Sequence, residues 1–159
     1  MAFTKQSAVM LALVMATIPS IGCAKNKKDI TRKIQTKQAP TPIGPYNQAI
    51  ETTGKRTLYI SGQIPFDQNL GIMVADIRAA TTLVMMYLQG ILKEAKMDFS
   101  NVVKTTILIS DMSNFSIVNE VYGSYFSDRN KLPARETFQP AKLPKDAVIE
   151  ISMIAVSDE

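Results

Sequence analysis

Two charged residues near the C-terminus are the side chains best suited to chemistry. Arg135 follows the run Leu132-Pro133-Ala134, and Glu150 interrupts the otherwise mostly apolar run 147–156. A charge within such a strand costs free energy unless it is paired or functional. The chain contains no histidine and a single cysteine. If it is an enzyme, its chemistry must therefore come from carboxylate, hydroxyl, arginine and backbone groups.

Composition and charge place this chain among folded proteins with one domain. It has 159 residues, of which 46% are hydrophobic and 20% charged, enough to bury a core. Seven of the 18 basic residues but only one of the 14 acidic residues lie in positions 1–40, so residues 41–159 have a net charge of −2. A domain that binds duplex nucleic acid needs clustered basic residues, so we expect no nucleic-acid partner.

The first 23 residues have the pattern of an export signal. Lys5 supplies a positive charge, and the apolar segment 8–18 is too short to span a bilayer. Cys23 follows Gly22 where a bacterial lipoprotein signal places the lipidated cysteine, although Ser20 stands where leucine is usual. This favours an exported lipoprotein, anchored to a membrane only through its N-terminal lipid. An ordinary signal peptide cut after Ala24, or a misassigned start codon upstream of a cytoplasmic protein, remains open.

The remaining segments have distinct patterns. Residues 24–40 are polar and basic and are predicted to be a tether, with a single domain over 41–159. The lone cysteine excludes an intrachain disulfide and a multi-cysteine metal site.

In the domain, strand and helix patterns alternate. The extended runs 47–52 and 57–63 are separated by Gly54-Lys55, which predicts a hairpin, and Pro65 with residues 67–71 predicts a loop. Asp76 is a suitable N-cap for a helix to about Lys96, and Ser113 or Asn114 for a second helix. Further strands are predicted over 102–109, 134–138 and 148–156. The order ββ(β)αβαββ predicts an α+β fold with both helices on one face of a single sheet.

The last strand indicates an oligomer. Alternation places Glu150 and Ser152 on the face opposite Ile149 and Ile151. With helices on one face of the sheet, the other face must be covered, most simply by another subunit.

Several short motifs recur along the domain in a characteristic order and spacing. They are Ile43-Gly44-Pro45-Tyr46, residues 60–65, residues 118–122, Leu132-Pro133-Ala134-Arg135 and Leu143-Pro144-Lys145 followed by 148–155. Together they resemble the motifs of the RidA family (YjgF-type reactive-intermediate deaminases, including RutC-like proteins). This resemblance implies a chorismate-mutase-like α+β fold, with a mixed sheet forming a homotrimeric barrel and ligand clefts between subunits. It also implies hydrolysis of enamines and imines, such as 2-aminoacrylate and 2-iminopropanoate, to 2-keto acids and ammonia, without a metal or organic cofactor.

The resemblance gives the two charged residues catalytic roles. Arg135 matches the family arginine that binds the substrate carboxylate, a task for which a planar guanidinium is the best side chain. Its alternative is a surface arginine after a proline turn. Glu150 matches the glutamate that orients or activates water or transfers a proton to departing ammonia. Its alternative is an ion pair with Arg135 that only organises the cleft.

Five more residues are predicted to bind substrate on the same basis. Ser61 and Gly62 match a turn that faces the ligand, although a plain strand end is the alternative. Tyr46 matches an aromatic residue that lines the cleft, and Asn119 matches a helix asparagine near it; either could instead be structural. Thr137 replaces a cysteine that is frequent in the family, which excludes thiol modification there.

Other departures from the family pattern affect the substrate range. Pro140 predicts a sheet edge or a bulge, and Ala80, Tyr87 and Lys96 replace familiar helix-1 residues. A non-catalytic trimer that binds 2-keto acids or partner proteins is the main alternative. Endoribonuclease activity or translation inhibition is a weaker one, because the domain lacks a basic, aromatic-lined groove.

Overall fold

The fold is built on a four-stranded mixed sheet with two helices on one face. The computed structural model describes residues 30–158. The strands of the sheet run in the order β3, β8, β6, β7; the β3/β8 and β8/β6 pairs are antiparallel, and β6/β7 is parallel. This confirms the predicted α+β architecture. The elements are β1 (Thr31–Ile34), β2 (Ala49–Thr52), β3 (Arg56–Gln63), β4 (Phe66–Asp67), β5 (Ile72–Met73), α1 (Ile77–Glu94), β6 (Val102–Ile109), α2 (Phe115–Ser124), β7 (Ala134–Phe138) and β8 (Ile149–Ser157).

Helix α1 covers the centre of the sheet with an apolar stripe. Its N-cap is Asp76, whose Oδ1 accepts a hydrogen bond from Ala79 N at 2.8 Å, as predicted. Ala80, Val84 and Leu88 recur at helical spacing and are fully buried against the sheet. The helix ends before Lys96, which has a φ of 58°. A left-handed residue after the last turn stops the helix.

Helix α2 begins after Asn114, its N-cap residue, as predicted. A short 3-10 turn, Met112–Asn114, precedes it, and the Asp111 carboxylate accepts a hydrogen bond from Ser113 N at 2.9 Å. Asn114 makes no side-chain cap. The predicted cap position is thus confirmed, but the side-chain hydrogen bond expected from it is not made, because the Asp111 carboxylate one turn earlier accepts from the free amide of Ser113 instead.

The predicted hairpin between 47–52 and 57–63 was wrong. Strand β2 pairs with β1 in a separate two-stranded sheet, whereas β3 pairs with β8. Strand β1 lies within the predicted tether 24–40, so that segment is ordered chain from Thr31 onward. The predicted loop at 67–71 is the turn of a small hairpin formed by β4 and β5.

The face of the sheet away from the helices is open in this chain. Tyr59 is 75% exposed and Phe138 is 50% exposed on this face. Lys104 Nζ lies 3.4 Å from Glu136 Oε1, which also accepts a hydrogen bond from Thr106 Oγ1 at 2.8 Å. Strand β7 is at the sheet edge and ends two residues before Pro140, as that proline predicts.

Within residues 30–158 no helix has the length and apolar character needed to cross a bilayer. The signal-like segment 1–23, including Cys23, lies outside the described residues.

Candidate active site

Arg135 lies in a pocket of aromatic rings on the helix face of β7. Its guanidinium carbon is 5.1 Å from the ring centroid of Tyr46, 5.6 Å from that of Phe115 and 5.3 Å from that of Tyr122. Its Nη1 donates a hydrogen bond to Asn119 Oδ1 at 2.7 Å. Cation–π contacts and one neutral acceptor hold the guanidinium without neutralising it. The arginine is therefore both positioned and available to an anion.

The Tyr46 loop is fastened to the start of β7 by backbone contacts. Asn47 N donates to Pro133 O at 2.9 Å, its side-chain amide donates to Leu132 O, and Asn47 forms a parallel bridge with Ala134. A Cβ on Gly44 would stand 3.0 Å from Arg135 Nη2, so this glycine lets the loop lie close to the guanidinium. These contacts explain why the Ile-Gly-Pro-Tyr motif and the Leu-Pro-Ala-Arg motif form one site.

The electrostatics of this pocket favour binding of an anion. Within residues 30–158, no carboxylate lies within 4.0 Å of Arg135. Burial lowers the pKa of the Arg135 guanidinium, while Tyr122 and Tyr46 raise it. Arginine nevertheless remains protonated at neutral pH. Burial also raises the pKa of Tyr122, whose hydroxyl donates to Thr105 Oγ1 at 3.0 Å, so that phenol stays neutral.

A second group of candidate residues surrounds a bulge in β3. Ile60 is opposite Met153 and Gln63 is opposite Ile151, so Ser61 and Gly62 together face one residue of β8. The Glu150 carboxylate lies over this bulge: a Cβ added to Gly62 would stand 1.8 Å from Glu150 Oε1. Only glycine leaves room for the carboxylate in this position.

The two groups lie on opposite faces of the sheet. Arg135 contacts rings of α2 and thus faces the helices. Ile149 and Ile151 are fully buried beneath the helices. Glu150 alternates with them along β8 and therefore faces away from the helices. Closeness in sequence does not bring the two charges together: within residues 30–158 of one chain, Arg135 and Glu150 form no ion pair.

Thr137 follows Arg135 by two residues on β7 and therefore shares its face. Its Oγ1 is buried and has no hydrogen-bond partner among the described residues. Of the seven predicted site residues, Tyr46, Asn119, Arg135 and Thr137 thus belong to the helix-face group, and Ser61, Gly62 and Glu150 to the other.

Sequence reasoning missed three residues of the arginine pocket. Phe115 was covered only by the predicted second helix, and Tyr122 and Gly44 only as parts of motifs, with no role in the site given to any of them. Their signal was the seven-residue spacing of two aromatics on one helix face, with Asn119 between them. In the described part of the chain, no group of three or more carboxylate or cysteine side chains is arranged to hold a metal ion.

Comparison with known proteins matches most of the chain. The family model described as Endoribonuclease L-PSP matches residues 36–157. The chain is 44% identical over 128 residues to the 2-iminobutanoate/2-iminopropanoate deaminase of Mus musculus, which covers 80% of this chain and 92% of that protein. Two solved structures, each covering 79% of this chain and 98% of its own, are similar: the Rid-family protein YyfA of Yersinia pestis (TM-score 0.60, 42% identity) and E. coli TdcF with bound serine (TM-score 0.58, 35% identity).

Proposed function

This chain belongs to the Endoribonuclease L-PSP family, the family of the YjgF and RidA proteins, and we propose that it hydrolyses 2-imino acids. Its substrates are reactive imines and their enamine tautomers, such as 2-iminopropanoate and 2-aminoacrylate, and its products are 2-keto acids and ammonia. The observation that carries the proposal is the half-buried Arg135 guanidinium, which three rings and Asn119 hold without a carboxylate partner. The relative from mouse is named for this reaction.

Arg135 binds the substrate carboxylate. A carboxylate matches the two parallel N–H bonds that a guanidinium offers, and Asn119 occupies only one of its donor groups. Since the arginine is already oriented by the rings, little side-chain entropy is lost when the substrate binds. The bound carboxylate fixes the adjacent imine carbon in space.

Glu150 acts as the general base and general acid of the hydrolysis. The water oxygen forms a bond to the imine carbon while the Glu150 carboxylate takes a proton from the water; the C=N bond becomes a single bond, and its nitrogen takes that proton from the Glu150 carboxyl group. In the resulting amino alcohol the carboxylate takes the hydroxyl proton and passes it to the amino nitrogen, the C=O bond forms, and the C–N bond breaks to release ammonia. A positioned carboxylate can serve first as base and then as acid.

Completion of the site needs two copies of the chain. Arg135 and Glu150 lie on opposite faces of the same sheet, so one protomer cannot bring both to one small substrate. The open face, with Tyr59 and Phe138 exposed, is the surface that a second copy covers. A homotrimer in which each cleft takes Arg135 from one subunit and Glu150 from its neighbour satisfies both requirements.

Mixing two inactive variants tests this arrangement. We expect Arg135→Met and Glu150→Gln each to lack activity, and a co-refolded equal mixture to recover about a quarter of the wild-type rate, since about one cleft in four then pairs two intact residues. The measurement is keto-acid release from 2-iminopropanoate that an amino-acid oxidase generates in situ, above the spontaneous rate.

The controls are each variant refolded alone and the two mixed without refolding. Recovery close to zero in the co-refolded mixture would place both residues in the same subunit and contradict the shared cleft. No acceleration by the wild-type protein over Arg135→Met would contradict the deaminase function itself. Calorimetric binding of a 2-keto acid without turnover would favour the alternative of a non-catalytic binder.

Endoribonuclease activity has less support. The domain over residues 41–159 carries a net charge of −2, whereas RNA binding relies on clustered cations. The arginine pocket fits one small carboxylate and offers no extended basic groove.

We also propose that the chain is exported and lipidated at Cys23, as the segment 1–23 indicates. We expect the mature protein to begin at Cys23 with an acyl mass increment and to fractionate with membranes, whereas Cys23→Ser remains unacylated. Intact-mass spectrometry and fractionation measure this. A soluble cytoplasmic protein with an unmodified thiol would contradict it.

A further inference from the structure

A cleft of about 510 Å³ opens between α1 and the β4–β5 hairpin and reaches the β3 bulge. We call it the Phe66 cleft; it is lined by Gly62, Ile64, Phe66, Met86, Tyr87 and Lys145, among others. Its wall is fixed where the Tyr87 hydroxyl donates a hydrogen bond to Phe66 O at 2.7 Å. Met86 is 55% exposed, although it is apolar and lies on a helix. The cleft is therefore an open, largely apolar depression in the surface, with Lys145 as the one cation of its lining.

Lys145 is the cation, and its ammonium is directed at this cleft. Its Nζ lies 4.6 Å from the ring centroid of Phe66. Asp146, the neighbouring carboxylate, is bound instead by Lys142, whose Nζ lies 3.0 Å from Asp146 Oδ1. In the described part of the chain no carboxylate lies within 4.0 Å of Lys145. Charge balance therefore leaves Lys145 available to an anion in the cleft.

The backbone at this turn is strained. Lys145 has a φ of 52° and Asp146 a φ of 55°, and neither is glycine. Left-handed backbone at a residue with a side chain is unfavourable and persists mainly where the surrounding structure or a function requires it. Here the turn holds the Lys145 ammonium over Phe66, away from Asp146.

The Phe66 cleft meets the proposed active site at Gly62. The Glu150 carboxylate lies over that glycine, and Gly62 also lines the cleft. Because Gly62 lies on the edge strand β3, a substrate whose imine carbon lies beside Glu150 on the open face would extend its side chain around this edge into the cleft. The methyl group of 2-iminopropanoate would leave almost all of the 510 Å³ unfilled.

From this juxtaposition we infer that the protein accepts 2-imino dicarboxylates, such as 2-iminoglutarate, with Lys145 binding the distal carboxylate. The inference rests on the proposed function, since it extends the same site. The methylene groups of the side chain pack on Phe66 and Met86, and the ammonium provides a charge-assisted contact at the far end. Lys145 is a specificity residue in this scheme and takes no part in the hydrolysis.

The test compares 2-iminoglutarate with 2-iminopentanoate, which differs from it only at the end of the side chain, and with the shorter 2-iminopropanoate. We expect Lys145→Met to lower kcat/KM for 2-iminoglutarate by about tenfold or more, and to change that for 2-iminopentanoate and 2-iminopropanoate by less than about twofold. Both longer imines can be generated from D-amino acids by flavin oxidases, and keto-acid release is measured above the spontaneous rate. Lys145→Arg should keep most of the wild-type kcat/KM for 2-iminoglutarate, because it retains the positive charge and places a side chain on the same left-handed backbone.

Lys93→Met is the matched control, because it removes an exposed lysine at the end of α1 that does not line the cleft; it should leave the relative kcat/KM values of the three imines unchanged. Equal losses of Lys145→Met with all three imines, or no turnover of 2-iminoglutarate by wild type, would overturn the inference. If wild type hydrolyses 2-iminopropanoate in the same experiment, the proposed function stands; if it hydrolyses none of the imines, the function itself fails.

Discussion

Replacing Arg135 by methionine should lower kcat/KM for 2-iminopropanoate by at least about a hundredfold, because a bidentate contact to a carboxylate contributes roughly 3 kcal/mol and each 1.4 kcal/mol is a factor of ten. Arg135→Lys should retain part of the activity, since it keeps the charge but loses the fork of parallel donors. The fold should tolerate the change. Arg135 is half-buried without a carboxylate partner, so methionine removes an unneutralised cation from the aromatic pocket rather than a stabilising ion pair.

Activity and thermal unfolding of the same preparations distinguish binding from folding. The matched control is Arg129→Met, which removes an exposed arginine six residues earlier and should leave both quantities unchanged. If Arg135→Met lost activity and several kcal/mol of unfolding free energy together, the arginine would be a structural residue. Unchanged activity in a folded Arg135→Met protein would show that Arg135 does not bind the substrate carboxylate.

Replacing Gly62 by alanine should abolish most of the turnover while the fold persists. The added methyl group would stand 1.8 Å from Glu150 Oε1 and 2.6 Å from its carboxyl carbon, so the carboxylate must move. The end of a glutamate side chain moves easily, which keeps the cost in stability small. A displacement of about 1 Å in a group that positions water can lower the rate by about a hundredfold, and we expect that loss in kcat rather than in KM.

A double-mutant cycle identifies the cause of that loss. If Gly62→Ala acts by moving the Glu150 carboxylate, it should add almost nothing to the loss already caused by Glu150→Gln. Losses that multiply would mean that Gly62 acts independently, for example through its backbone. Circular dichroism and the unfolding midpoint verify that each protein is folded; a collapsed fold in Gly62→Ala alone would contradict the view that the carboxylate yields.

The regular elements could be predicted because their patterns are local. Strand β6 was predicted over its observed residues, and α1 begins at its predicted aspartate cap. The pairing of strands is not local, which is why the hairpin was wrong. Strand β1 contains Arg32 and Lys33 and carries little apolar alternation, so nothing in its sequence identified it as the partner of β2.

The site residues could be proposed by motif, but their separation over two faces could not. The face of Glu150 follows from its buried neighbours Ile149 and Ile151. Arg135 stands between Ala134 and Glu136, so the alternation of β7 gives no apolar face from which to orient it. Only its contact with the rings of α2 places the guanidinium on the helix side. The placement of Arg135 and Glu150 on opposite faces of the sheet is thus a geometric fact that local patterns do not contain.

Strand β1 occupies part of the predicted tether 24–40, and this limits the distance between the domain and a bilayer to which Cys23 would be anchored. Thr31 is paired with Thr52, and Ile30 O accepts a hydrogen bond from Thr53 N at 2.9 Å, so the chain is already bound to the domain at residue 30. If Cys23 carries the lipid, the seven residues 24–30 reach at most about 25 Å even when fully extended. Lys25, Lys27 and Lys28 then lie within reach of anionic headgroups. If the proposed trimer and the proposed lipid anchors both form, three such short connections would hold the protein close to the membrane surface, and its substrates would have to come from the solvent next to the lipid.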